Sequence, residues 1–208
     1  GVARASGFGL AGGKRFTSDA DVFAGYLPGS ARATLAAGPI ARFDTPALLQ
    51  ALDHYPYGCT EQITSTAMPL LYLSSVAEAM ELGTPKDIDA RIEVAISKVL
   101  TNQDATGAFG LWGPMSGDGW LDAYVTDFLS RARKAGHPVP DMAFRNALDN
   151  LRNQVNYAPD FDRTSNGGGR VLAYQLMVLA REGAASIGDL RYFADVKGDD
   201  FATKLAMA

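Results

Sequence analysis

From Thr45 onward, apolar residues recur at helical spacing, and polar stretches rich in Gly and Pro interrupt them. Before that point the pattern differs. "DADVFAGYLPGSARATLAAGPIARFD", Asp19 to Asp44, carries Gly and Pro punctuation and short runs of weak alternation, which predict two or three short strands or an extended arm. Thr45 and Pro46 make an N-cap and first helical position ahead of "ALLQALD". The next helix opens near Cys59. Ile63, Ala67, Leu70, Leu71, Leu73, Val76, Ala77 and Met80 cover nearly every face of it, the pattern of a buried helix. Pro69 should kink it and Gly83 ends it. "PKDIDARIEVAISKVLTNQ" is more amphipathic and leads into a long loop, "DATGAFGLWGPMSGDG". "WLDAYVTDFLSRARKAG" and "DMAFRNALDNLRNQVNY" follow, joined by "HPVP". A second loop, "APDFDRTSNGGG", precedes "RVLAYQLMVLAREG" and a last pair. Helix, turn, helix and long loop repeat, and such hairpins bury their apolar stripes only by stacking on neighbours. The expected fold is mainly α, a toroid-like ring of helical hairpins over 45–208, with a short β or extended segment over 1–44 contributed by an adjoining domain.

Bulk properties narrow the function classes. The 47% apolar fraction is enough for a packed core. A formal net charge of −4 with mixed signs gives no basic footprint for nucleic acid and no polybasic patch for a membrane. No apolar run is long enough to insert into a bilayer. The chain starts at Gly1 and stops in the helix-favouring "FATKLAMA", so the expectation is an excised piece of a longer chain. A single cysteine excludes an internal disulfide framework and a Cys-rich zinc site, and neither metal nor organic cofactor is implied.

That cysteine, Cys59, stands in "HYPYGCTEQITS". A lone cysteine is ordinarily a small buried hydrophobe. Its surroundings allow more. Gly58 permits a sharp turn, and Cys59 then falls in a first helical turn, where free backbone N–H groups and the helix dipole favour anions such as a thiolate. Residues three apart share a helix face, so the Cys59 sulfur and the Gln62 side chain can meet. A thiolate beside a carboxamide carbonyl can displace ammonia and form an internal thioester, a stored electrophile.

"YPYGCTEQ" closely resembles the thioester motif of the alpha-2-macroglobulin and complement family, a Gly-Cys-x-Glu-Gln block after an aromatic-Pro stretch. Pro69 ten residues after the cysteine, the loop Gly107 to Trp112, and "WLDAYVTDFLSRA" extend the likeness, and "YPYGCTEQ" with "MPLLYL" is most similar to the bacterial branch. The resemblance implies a thioester domain of a large protease trap. A protease cuts a bait region elsewhere in the parent, the thioester is uncovered, and a lysine amine of the protease attacks the Gln62 acyl carbon while Cys59 leaves. This is single-use acyl transfer, so the chain is not expected to be an enzyme. Partners would be target proteases and the parent's remaining domains. The implied setting is periplasmic or extracellular, with the parent anchored to the inner membrane as a lipoprotein. Tyr55, Tyr57 and Trp112 are candidate shields of the thioester, against the reading of ordinary core aromatics. That reading is the better one for Phe109. Glu61 fits a helix N-terminal carboxylate better than a catalytic group. Some family members carry a histidine in the loop that corresponds to Ala158–Arg170. Here that loop has none, with Asn166 or a neighbour in its place, which implies reaction with amines over hydroxyls.

Rival readings rest on less. A cysteine hydrolase needs a histidine base; His54 is five residues upstream across a Tyr-Pro-Tyr-Gly turn, and it fits better as the end of "ALLQALDH". His137 lies elsewhere. "QDATGAFGLW" is similar to the Gln-Trp motif of terpenoid cyclases, where Gln103 would bond a neighbouring helix end and Trp112 would pack on it. The cyclases' acidic motif is missing, and Asp118 and Asp122 read better as a helix start and its first turn. Complement-like tagging of foreign surfaces uses the same chemistry on another target. "GGGR" before a helix lacks the context of a phosphate loop.

Overall fold

Short polar residues ahead of the apolar runs set where the helices begin. In a computed structural model, the described residues are 6–7, 9, 12–31, 33, 35, 58–79, 84–115, 118–158 and 169–196, with the side chains of 20, 73–79 and 194–196 outside that description. Among them are six α-helices: α1 Thr60–Ala79, α2 Pro85–Thr101, α3 Gly119–Lys134, α4 Asp141–Asn156, α5 Arg170–Arg181 and α6 Ile187–Val196. α2 starts in a full capping box, with Thr84 and Asp87 bonding each other's backbone N–H groups and Pro85 at the first position. Asp118 caps α3 by accepting from Trp120 N at 3.0 Å and Leu121 N at 3.1 Å. Ser186 Oγ accepts from Asp189 N at 3.0 Å and holds the first turn of α6. α1 continues through Pro69 without a break.

The chain divides into two units, Gly1–Ala51 and Leu52–Ala208. In the first, the described residues contain a 3-10 helix, Ala20–Phe23, flanked by extended backbone at Asp19 and Ala24, and no strand. The helix read from Thr45, together with His54, Tyr55 and Tyr57, lies outside the described residues, as do most of the Ala158–Arg170 loop and Asn166.

All six helices belong to the second unit. α3 packs against α1, α2, α4 and α5, which makes it the central element. One core gathers Ile88, Ile92, Ile96 and Val99 of α2, Ala67 and Leu70 of α1, Phe109, and Leu121, Val125, Phe128 and Leu129 of α3. A second gathers Ala123 of α3, Leu151 and Val155 of α4, Leu172, Leu176 and Leu179 of α5, and Phe193 of α6. The helix expected to be buried all round was the one after Cys59; of its named positions, the side chains of Leu73, Val76, Ala77 and Met80 lie outside the description. Tyr72 of α1 is exposed, and among the described residues α3 is the helix buried on most faces. Four of the buried α3 residues are polar: Asp122, Thr126, Asp127 and Ser130. Each is bonded. Asp122 accepts from Phe109 N at 2.7 Å and Gln154 Nε2 at 2.6 Å. Thr126 Oγ1 donates to the Asp122 carbonyl at 2.6 Å. Asp127 accepts from Arg131 Nε at 2.7 Å, Tyr174 OH at 2.8 Å and the Arg181 guanidinium. Ser130 accepts from Arg181 at 2.9 Å and donates to Glu182. Partners across the bundle make a polar helix face buriable.

Candidate functional site

The first turn of α1 is built by its neighbours in space. The Cys59 carbonyl accepts from Ile63 N at 2.9 Å, the first bond of the helix, so Cys59 is the N-cap and Gln62 stands at the third helical position. In a capping box the side chain at each of these two positions reaches the other's backbone N–H, so both side chains lie at the same helix end. Cys59 is 6% exposed. Thr60, fully buried, ties the turn down: its N donates to the Leu111 carbonyl at 2.9 Å and its Oγ1 to the Gly110 carbonyl at 2.6 Å. Asn102, just past α2, donates from Nδ2 to Thr60 Oγ1 at 2.7 Å, and its carbonyl accepts from Gly110 N at 3.0 Å. Farther along, Thr64 Oγ1 and Thr66 Oγ1 donate to the Thr60 and Gln62 carbonyls.

The stretch 102–111, read from the sequence as a helix end through Gln103 and the start of a loop from Asp104, is an ordered turn. Gln103 and Phe109 form an antiparallel bridge. Asp104 Oδ1 accepts from Thr106 N, Thr106 Oγ1 and Ala108 N at 2.6 to 3.1 Å, which holds its carboxyl below the ordinary value of 3.8. Gly107 has φ +91°, and a Cβ there would stand 2.1 Å from the Asn146 carbonyl, so both the turn and its packing on α4 require glycine. Gln103 Nε2 donates to the Ala143 carbonyl in the first turn of α4 at 2.9 Å, the helix-end bond expected of it. Trp112 does not pack there; it is 72% exposed, one residue beyond the carbonyl that Thr60 holds. Phe109 is core, as read. Asp118 caps α3 and Asp122 sits in its first turn, also as read. Burial raises the Asp122 carboxyl above its ordinary 3.8, against the lowering by Phe109 N–H and Gln154.

Gln62 and Glu61 face different neighbours. The Glu61 carboxylate accepts from Ser65 Oγ at 2.7 Å. Ser65 has one proton and gives it to Glu61, so the Tyr124 hydroxyl 3.0 Å away donates to Ser65. Tyr124 stacks on Trp120 with ring centroids 4.9 Å apart. Glu61 is thereby engaged with α3. Gln62 instead lines a groove of about 380 Å³ between α1 and α2, with Ile63, Thr66, Ala67 and Leu70 on one side and Ala90, Arg91, Val94, Ala95 and Lys98 on the other. Gln62 Oε1 is out of solvent and accepts no hydrogen bond. Leaving a carbonyl so costs about 1–3 kcal/mol, an observation to be explained by function.

Cys59, Glu61, Gln62 and the Trp112 loop are thus brought to one end of α1. Thr60, Asn102, Ser65 and Tyr124 were not legible in the sequence. Their contacts join positions 42 and 59 apart, and no spacing rule signals them. Among the described residues no cluster of His, Cys, Asp or Glu could hold a metal ion, and no helix is long and apolar enough to cross a membrane.

Residues 35–164 match the family described as the A-macroglobulin TED domain. The chain is 35% identical over 162 residues to an Escherichia coli alpha-2-macroglobulin, a stretch that makes up 73% of this chain and 10% of that protein. It therefore spans about a tenth of that relative's length. The fold is similar to the crystal structure of native E. coli alpha-2-macroglobulin from domain MG7 to the C-terminus, with a TM-score of 0.65 and 30% identity over 73% of this chain and 25% of that one. It is also similar to a Salmonella alpha-2-macroglobulin reacted with methylamine, with a TM-score of 0.63 and 30% identity over 73% of this chain and 10% of that one.

Proposed function

The chain belongs to the A-macroglobulin TED-domain family, the thioester domain of bacterial alpha-2-macroglobulins, and from that premise we propose that Cys59 and Gln62 form an internal thioester through which the parent is coupled to a protease it traps. What supports this is the shared first turn. Cys59 is buried at the N-cap, and Gln62, at the third helical position, has its carboxamide oxygen out of solvent and unbonded. Formation joins Cys59 Sγ to Gln62 Cδ and releases ammonia, the thiol proton leaving with the nitrogen. In use, a lysine amine of the protease adds to the same carbon, an amide forms, the carbon–sulfur bond breaks and Cys59 departs as thiolate. Each domain reacts once, and turnover is absent because nothing regenerates the Gln62 acyl–sulfur bond.

Water would hydrolyse such a bond, so concealment is part of the function. The Thr60 hydrogen bonds hold Cys59 under the 110–111 backbone. Trp112, at that loop and facing outward, is a residue for the parent's other domains to cover, with Tyr55 and Tyr57 as further shields. Glu61, bonded to Ser65 on the α3 side, is an anchor that sets the rotation of α1 and leaves Gln62 over the groove. Residues 45–208 make the thioester domain in this reading and 1–44 belong to its neighbour. The parent works in the periplasm or outside the cell, anchored as a lipoprotein. Support for amine reactivity comes from the Salmonella relative, which was solved after reaction with methylamine.

Intact mass with thiol titration, before and after methylamine, tests the reading. The expected result is a mass short by one ammonia with no titratable thiol, then one thiol released on amine addition. Cys59→Ala should abolish both signals. A full-mass protein with a freely titrating thiol would overturn it.

A further inference from the structure

The groove beside Gln62 has a charge character that the thioester chemistry alone does not require. Its floor is apolar: Ile63, Ala67, Leu70 and Ala95. Among the described residues, its charged lining residues are Arg91 and Lys98, both cationic. The acidic residues of the same helix, Asp87, Asp89 and Glu93, do not line it. Glu61, the nearest acid in sequence to Gln62, is bonded to Ser65 and lies outside the lining. The register places Lys98 level with the acyl group. Asn102, one turn after Lys98, is bonded to Thr60, two residues before Gln62, so the end of α2 lies alongside the start of α1.

We propose that this groove is the path by which an amine reaches the Gln62 acyl carbon, and that Lys98 selects amines that carry a neighbouring negative charge. This rests on the thioester reading and adds the acceptor's chemistry to it. The apolar floor takes the methylene stem of an incoming lysine. The cationic rim repels a second positive charge on the acceptor and attracts a carboxylate, so the favoured target is a lysine flanked by acidic residues. Two charges about 7 Å apart in a wet groove bias the rate by about threefold to tenfold, less at high salt.

Three amines of equal length separate the terms: 6-aminohexanoate, 6-aminohexanol and 1,6-diaminohexane. Their rates of thiol release are read on protein whose ammonia deficit has first been verified by mass. The expected order is aminohexanoate fastest and the diamine slowest, converging in molar salt. Lys98 is exposed, so its substitution leaves the core intact. Lys98→Gln should flatten the order and Lys98→Glu should invert it. Equal rates in the unaltered protein, or an order that Lys98→Glu leaves unchanged, would overturn the proposal while the thioester stands. A missing ammonia deficit at the outset would remove the thioester reading itself.

Discussion

Replacing Thr60 by Val keeps the side chain's shape and removes one oxygen, which makes the energetic consequence calculable. Thr60 is wholly buried, and its hydroxyl both donates to the Gly110 carbonyl and accepts from Asn102. Without it the buried Gly110 carbonyl is left unbonded, a loss of about 1–3 kcal/mol. Asn102 is half-buried and its freed amide can still reach water, so its share is about 0.5–1 kcal/mol. The expected destabilisation is about 1.5–4 kcal/mol, read as a fall in urea midpoint at unchanged slope. Thr60→Ser keeps the hydroxyl and loses one methyl, about 1 kcal/mol, and should therefore be the milder change. A valine variant within about 0.5 kcal/mol of the parent, the spread of an inconsequential surface change, would refute the reasoning. So would a serine variant less stable than the valine one. Either result would mean that the first turn of α1 is not held by this hydroxyl.

Other residues give independent checks. Gly107→Ala combines a positive φ with a backbone clash and should cost about 3 kcal/mol or more in the same urea assay; a neutral result would mean that the turn is free to move away from α4. Asp122 has its carboxyl raised by burial, so its contribution is full below the ordinary 3.8 and is lost as pH rises through the raised value. The stability of the parent relative to Asp122→Asn should accordingly be higher at pH 4 than at pH 7, and the reverse trend would contradict a desolvated carboxyl. Trp112→Ala, at an exposed position, should leave the urea midpoint nearly unchanged while shortening the lifetime of the thioester in the parent; an equal lifetime would exclude Trp112 as a shield.

The placement of Cys59 and Gln62 in one helical turn was legible in the sequence because it is local. They are three positions apart, and any helix that starts at Gly58–Cys59 puts them on one face through its own geometry. The helical class and the starts of α2 and α3 were legible for the same reason: Thr84, Pro85 and Asp118 act on backbone groups within one turn. Tertiary structure decided which helix is central. Hydrophobic counting favours the run after Cys59, yet α3 takes the interior because Gln154, Tyr174 and Arg181, from helices later in the chain, satisfy its polar residues. It likewise decided that the 102–111 stretch is a folded turn that pins Thr60, and that Gln62 opens on a cationic groove while Glu61 engages α3. A pattern along the chain carries the energies of neighbours one turn away. Hydrogen bonds between residues 42 or more positions apart exist only once the helices have packed, and those bonds set the environment of the first turn of α1, where Cys59 and Gln62 stand.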